Sequence, residues 1–108
     1  MALASAGIGK NLMMSGHSSQ AVPWYERALA IFENQGWRLH MSAIYSGLGA
    51  CYFHLENLDK SLQLLLQAEQ IDVETGSRTG LQIVLANIGN VDLQRGEYSR
   101  PFRIISEP

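Results

Sequence analysis

Cysteine occurs once in the 108 residues, as Cys51, so no intramolecular disulfide can form, and a reducing, cytoplasmic location is expected. Basic charge is sparse. Eight Lys and Arg stand against 10 Asp and Glu, for a net charge of −2, and no cationic run is present. A nucleic-acid surface, which needs clustered positive charge, is not expected. No apolar stretch approaches the roughly 18 residues of a membrane span, and no membrane partner is expected. The N-terminus "MALASAGIGKNLMM" has no basic segment ahead of an apolar one, so it does not read as a signal peptide. The G-x-S-x-G, C-x-x-C and H-E-x-x-H patterns are missing. Period-two alternation is also missing, which leaves no candidate strand.

What the chain does have is apolar content, 46% of residues, enough for one small domain over residues 1–108 with a single core. Its first conspicuous stretch is "SAGIGKN", Ser5 to Asn11, in which Gly9-Lys10 resembles the end of a phosphate-binding loop. That loop needs an earlier glycine where Ala4 stands, a hydroxyl where Asn11 stands, and a preceding strand for which there is no room. A nucleotide site is therefore rejected.

The glycines belong to a repeat. "SAGIGKN" aligns with "YSGLGAC" (Tyr45–Cys51) and with "LANIGNV" (Leu85–Val91), each forty positions on. Downstream, Ala28 meets Ala68, Ile31 meets Ile71, Gly36 meets Gly76, and Arg38 meets Arg78. The units run over about 1–40, 41–80 and 81–108, the last truncated. Each reads as two helices. Ile44, Leu48, Cys51, Tyr52 and Leu55 recur at spacings of three and four, as do Leu58, Leu62, Leu65 and Leu66. Polar turns separate them at Ser15–Ser19, Glu56–Asp59 and Arg95–Ser99, with Ser18 or Ser19 and Asn57 or Asp59 as candidate N-caps. Gly36 and Gly76 suit the left-handed position that ends a helix. The reading is five full helices and a short sixth between Ser99 and Ser106, started around Pro101. Mid-helix glycine costs about 1 kcal/mol relative to alanine. Its recurrence at Gly9, Gly49 and Gly89 implies close helix approach, with Ala21, Ser61, Ala28 and Ala68 as the small opposing residues.

These residues resemble the tetratricopeptide repeat, W-x2-L-G-x2-Y…A-x3-F. Tyr45, Leu48, Gly49 and Tyr52 followed by Ser61 and Leu65 are similar to it. So are Ser5, Ile8, Gly9 and Leu12 followed by Ala21 and Tyr25, and Leu85, Ile88, Gly89 and Asp92 followed by Gly96-Glu97-Tyr98. HEAT and armadillo repeats have similar periods, but these spacings favour the tetratricopeptide family. The forty-residue period and the connectors Glu33…Gly36…Arg38 and Glu74…Gly76…Arg78 resemble a longer subclass of it. That subclass occurs in spindle-orientation scaffolds and in bacterial regulators.

The resemblance implies an all-α, right-handed solenoid of antiparallel helix hairpins with about two and a half units. It implies a non-catalytic module that binds a protein or peptide without a cofactor, as a regulatory or sensor segment of a larger protein. The concave groove of the family maps onto Ala6, Lys10, Met13 and Met14; onto Ser46, Ala50, Phe53 and His54; and onto Ala86, Asn90, Leu93 and Gln94. Met13 and Phe53 either line that groove or bury against a neighbouring helix or a partner subunit. Because "FRIISEP" offers no polar capping helix, the chain is expected to be part of a longer array or to cover its open end by self-association. Trp24 and Trp37 are candidate interface anchors or covers of an open edge.

Other chemistry-bearing residues have simpler readings. His17, His40 and His54 lack ligand spacing for a metal, and Cys51 falls on an apolar helix face as a small core residue. Glu26, Glu33, Glu56, Glu69, Asp72 and Glu74 are expected on helix surfaces or in turns, without the buried pairing that acid–base catalysis uses.

Overall fold

The computed structural model describes residues 2–96, and they form five α-helices: α1 Ala2–Met14, α2 Ser18–Gln35, α3 Arg38–His54, α4 Leu58–Thr75 and α5 Arg78–Gln94. No strand occurs among the described residues. The expected sixth helix around Pro101 lies outside them. Each helix packs on the next in sequence, and α3 also touches α1 and α5. Helices α2 and α4 make no such contact with one another. The odd-numbered helices therefore form one row and the even-numbered ones a second.

The joints repeat with the sequence. Gly36 and Gly76 end α2 and α4 in the left-handed conformation, at φ 70° and 74°, and their N–H groups satisfy carbonyls of the last turn. The hairpin turns use the same conformation at Gly16, Glu56 and Gly96. Glu56, at φ 63°, is the one non-glycine residue with positive φ among the described residues. Asn57 caps α4 by accepting from the Lys60 N–H at 3.3 Å, as expected. At α2 the cap position falls on His17, whose side chain makes no capping bond. Ser18 and Ser19 are the first helical residues there, with Ser18 buried.

Two core clusters fill the space between the rows. The larger gathers Tyr25, Ala28, Phe32, Met41, Ile44, Leu48 and Cys51; the second joins α4 to α5 through Leu65, Ala68, Val84, Ile88 and Val91. Ala21, Ala28, Ser61 and Ala68 are fully buried. Ile8 departs from the pattern. It is exposed where its counterparts Leu48 and Ile88 are buried, because no helix among the described residues lies in front of α1 to cover it.

The glycines work somewhat differently from the expected backbone-to-backbone contact. A Cβ on Gly49 would lie 2.8 Å from the Leu65 side chain and 3.4 Å from the Ser61 carbonyl oxygen. A Cβ on Gly9 would lie 3.2 Å from the Tyr25 ring, and one on Gly47 would lie 2.7 Å from the opposite edge of that ring. Tyr25 of α2 is thus wedged between α1 and α3, and the glycines admit a large side chain as much as a close backbone. Gly7 and Gly89 have nothing within 4 Å, so the close-approach expectation does not hold for Gly89 among the described residues.

Replacing Gly49 with leucine forces a branched side chain into occupied space. Overpacking of this kind costs about 1–3 kcal/mol, more than the helix-propensity gain of about 1 kcal/mol. Gly49→Leu is expected to lower the thermal midpoint by on the order of 10 °C, whereas Gly7→Ala leaves it unchanged or raises it. Circular-dichroism melts of the two variants check this, and equal melting of Gly49→Leu and the parent would remove the packing argument.

Candidate functional site

The row of α1, α3 and α5 carries small residues on one side: Ala6 and Gly7, then Ala43, Ser46, Gly47 and Ala50. Short side chains leave a furrow where longer ones would fill it. An open cleft of about 690 Å³ results. Met13, Leu39, Ile44 and Ile83 supply apolar wall, and Lys10, Ser42, Ser46, Asp72, Ser77 and Asn87 supply polar groups. This volume lies within the range typical of ligand-sized sites.

Several of the groove positions expected from the sequence meet here. Ala6, Lys10, Met13, Ser46 and Ala50 all line the cleft. Phe53, His54 and Asn90 do not; with Ala50 they border a smaller pocket of about 130 Å³ between α3, α4 and α5. Met14 falls in a third depression with Met13 and His54, beside the first hairpin turn. Ala86, Leu93 and Gln94 are exposed on α5 and line none of these hollows. Met13 and Phe53 are half-buried, packed against the core on one side and facing a hollow on the other.

The residues that the sequence reading missed lie at the far end of the cleft. Asp72 was expected on a helix surface, but it is buried, with only 2% of its surface exposed. It follows Ser61, Leu65 and Ala68 at spacings of four, three and four, which continues the buried stripe of α4. The Ser42 hydroxyl donates to Asp72 Oδ1 at 2.5 Å. Oδ2 has no hydrogen-bond partner, a condition that costs about 1–3 kcal/mol for a buried polar atom and more for a charged one. The carboxylate stands over Gly80, where a Cβ would come within 2.8 Å of Oδ2. Ser77 caps α5 beside it, accepting from the Gly80 N–H at 3.3 Å.

The other chemistry-bearing groups are placed away from the cleft or inside the core. His17, His40 and His54 are exposed, and no group of three or more potential metal-ligating side chains comes together among the described residues. Trp37 and His40 stack with Phe32, at ring centroid distances of 5.9 and 4.8 Å from it. Trp24 is half-buried, with the Arg27 guanidinium 5.0 Å from its ring centre. Arg38, at the start of α3, forms a salt bridge with Glu74 at the end of α4. Burial pushes the Cys51 thiol up to about 11 and the Tyr25 phenol up to about 12, the latter helped by the neighbouring Cys51 charge. Cys51 is therefore held as a protonated core thiol rather than an activated nucleophile.

No described helix is long and apolar enough to cross a membrane. No protein-family model, curated protein or solved structure matches the chain.

The raised Cys51 and Tyr25 values set a sign for alkaline stability. Above the unfolded-state values of 9.0 and 10.0 the unfolded chain releases protons that the folded chain keeps, so it binds fewer protons and folding weakens as pH rises. Stability is expected to be flat below pH 9.0 with respect to these groups and to fall from there to about pH 12. Urea midpoints across that range check it; in Cys51→Ala the decline should start higher, near the tyrosine value.

Proposed function

We propose that the chain is a helical-repeat binding module of the tetratricopeptide kind, and that the cleft across α1, α3 and α5 holds an extended or helical segment of a partner protein. The repeated joints, the two helix rows and the forty-residue period support the right-handed solenoid that the resemblance implies. The observation that carries the functional reading is the cleft itself: its walls are preformed, largely apolar, and drawn mainly from the three successive odd-numbered helices, with Tyr25 of α2 and Asp72 of α4 adding to them. Apolar walls provide affinity, and isolated polar groups such as Lys10 and Asn87 fix direction by pairing with peptide backbone or side chains. No cofactor is called for. The role is regulatory or sensory, within a larger protein. A reducing, cytoplasmic setting fits the lone buried thiol.

Ala43 is exposed and lines the cleft, so a tryptophan there should fill the cleft without entering the core. For a peptide selected on the parent chain, Ala43→Trp is expected to weaken binding at least about tenfold, or about 1.4 kcal/mol, with an unchanged melting curve. Unchanged affinity would remove the cleft reading.

A second reading, self-association, is favoured by the large apolar residues left open at both ends: Leu3 and Ile8 on α1, Leu85 and Leu93 on α5. If they pair between copies, sedimentation equilibrium should show a dimer whose fraction rises with concentration and is abolished by Leu3→Glu with Leu85→Glu. A strict monomer at high concentration discards this reading and leaves the first intact.

A further inference from the structure

Each even-numbered helix seats one large side chain on a glycine of the odd-numbered helix before it. Tyr25 of α2 lies over Gly9 of α1, and Leu65 of α4 lies over Gly49 of α3. On α5 the same register holds Gly89, and nothing among the described residues lies within 4 Å of where its Cβ would stand. Leu85 and Leu93 flank it on the same helix face, one turn to either side, and both are exposed. Their counterparts on α3, Tyr45 and Phe53, are partly buried against the cluster that contains Leu65. The stripe through Leu85, Gly89 and Leu93 is therefore an apolar seat with a hole at its centre that no described residue fills.

We propose that this stripe is the docking site of the chain's own residues 98–108, which lie outside the described residues, with the Ile105 side chain over Gly89. The length of chain after the last turn fits. Tyr25 stands nine residues after Gly16 and Leu65 nine after Glu56; Ile105 stands nine after Gly96. Gly16, Glu56 and Gly96 share the left-handed φ at the end of an odd-numbered helix. The polarity pattern fits as well. Ala21, Tyr25 and Ala28 are buried, as are Ser61, Leu65 and Ala68. Forty residues on stand Pro101, Ile105 and Pro108, all apolar. The positions exposed on both α2 and α4, which begin at Ser19, Gln20 and Pro23 on α2, correspond to Ser99, Arg100, Arg103, Ser106 and Glu107, all polar. Proline at 101 is compatible with the first turn of a helix. This docking is independent of what the cleft holds, but α5 also gives Ile83 and Asn87 to the cleft, so the docked segment braces one wall of it. It also withdraws Leu85 and Leu93 from contact with a second copy.

The test uses the full chain with Cys51→Ala, to which Gly89→Cys and Ile105→Cys are added. The variant is oxidised at low protein concentration, and its digest is read by mass spectrometry. The expected product is an intrachain disulfide between positions 89 and 105. Absence of that bond overturns the proposal, and so does a bond formed only between chains, which would make a second copy the occupant. Melting curves probe the same contact without cysteines. In the parent, Gly89→Leu should lower the thermal midpoint by on the order of 5 °C, because the added side chain meets Ile105. In Ile105→Ala the same exchange should leave the midpoint unchanged or raise it, since only the helix-propensity gain remains. A shift of the same sign in both backgrounds overturns the proposal. If the cysteine variant does not fold, the melting curves decide alone.

Discussion

The crossing of α3 and α4 at Gly49 and Ser61 is the contact on which the remaining geometry depends. Ser61 is fully buried, and its hydroxyl donates to the Gly49 carbonyl oxygen at 2.7 Å. A helix carbonyl already accepts from within its own helix, so this second bond is possible only if the two helices come unusually close. Closeness follows from the missing Cβ of Gly49, beside which Leu65 then packs. The cost of mid-helix glycine, about 1 kcal/mol, is offset by a dense interface and a buried hydroxyl with a partner. Once α3 and α4 are locked, the positions of α2 on one side and α5 on the other are fixed by their contacts with this pair.

A second constraint couples one unit to the next and produces the cleft. Tyr25 from α2 reaches between α1 and α3, and Gly9 and Gly47 yield on either side of it. The register places Leu65 opposite Tyr25 and Asn87 opposite Gly47. Where the wedge is a broad ring the facing residue is glycine; where it is the smaller leucine, a side chain is tolerated. Gly47, which yields to this wedge, also lines the cleft, and the Tyr25 ring lines it too. Packing in the interior and openness at the surface therefore meet at Gly47. Of the glycines of "SAGIGKN", Gly9 makes room for a tyrosine ring and Gly7 lines a cleft.

This explains which features could be read from sequence. Helix existence and the connectors were legible because periodicity and the glycines at 36 and 76 report local requirements of the backbone. Lys10, Met13, Ser46 and Ala50 were legible as cleft residues because register alone fixes the face of a helix. Leu93 and Gln94 lie on α5 beyond Asn87, the last α5 residue to line the cleft, and no spacing rule records where a groove stops. Ile8 carried the same motif as Leu48, but burial depends on a neighbouring helix, not on the residue itself. Glu56 adopts a left-handed conformation that costs a non-glycine residue roughly 1–2 kcal/mol. Only its alignment with Gly16 and Gly96 exposes the strain. Asp72 was legible in principle, since it continues the spacing of Ser61, Leu65 and Ala68. A charged side chain at the end of such a stripe is naturally assigned to the surface, and that assumption hid it.

The two connectors then show how a repeat protein departs from uniformity at one place. Interiors select against half-satisfied carboxylates, and the first unit shows that aromatic residues fill this position well: Phe32 is 1% exposed and stacked on its neighbours. Restoring that solution in the second unit would close the end of the cleft with rings. Asp72, Ser77 and Gly80 instead keep it open, and they do so together, since a Cβ at position 80 would collide with the carboxylate. The loss of packing falls at the single joint where the cleft and the core meet. The carboxylate at that joint is sealed from solvent with one oxygen unpartnered, so the second unit holds by close packing over Gly80 what the first holds by stacked rings.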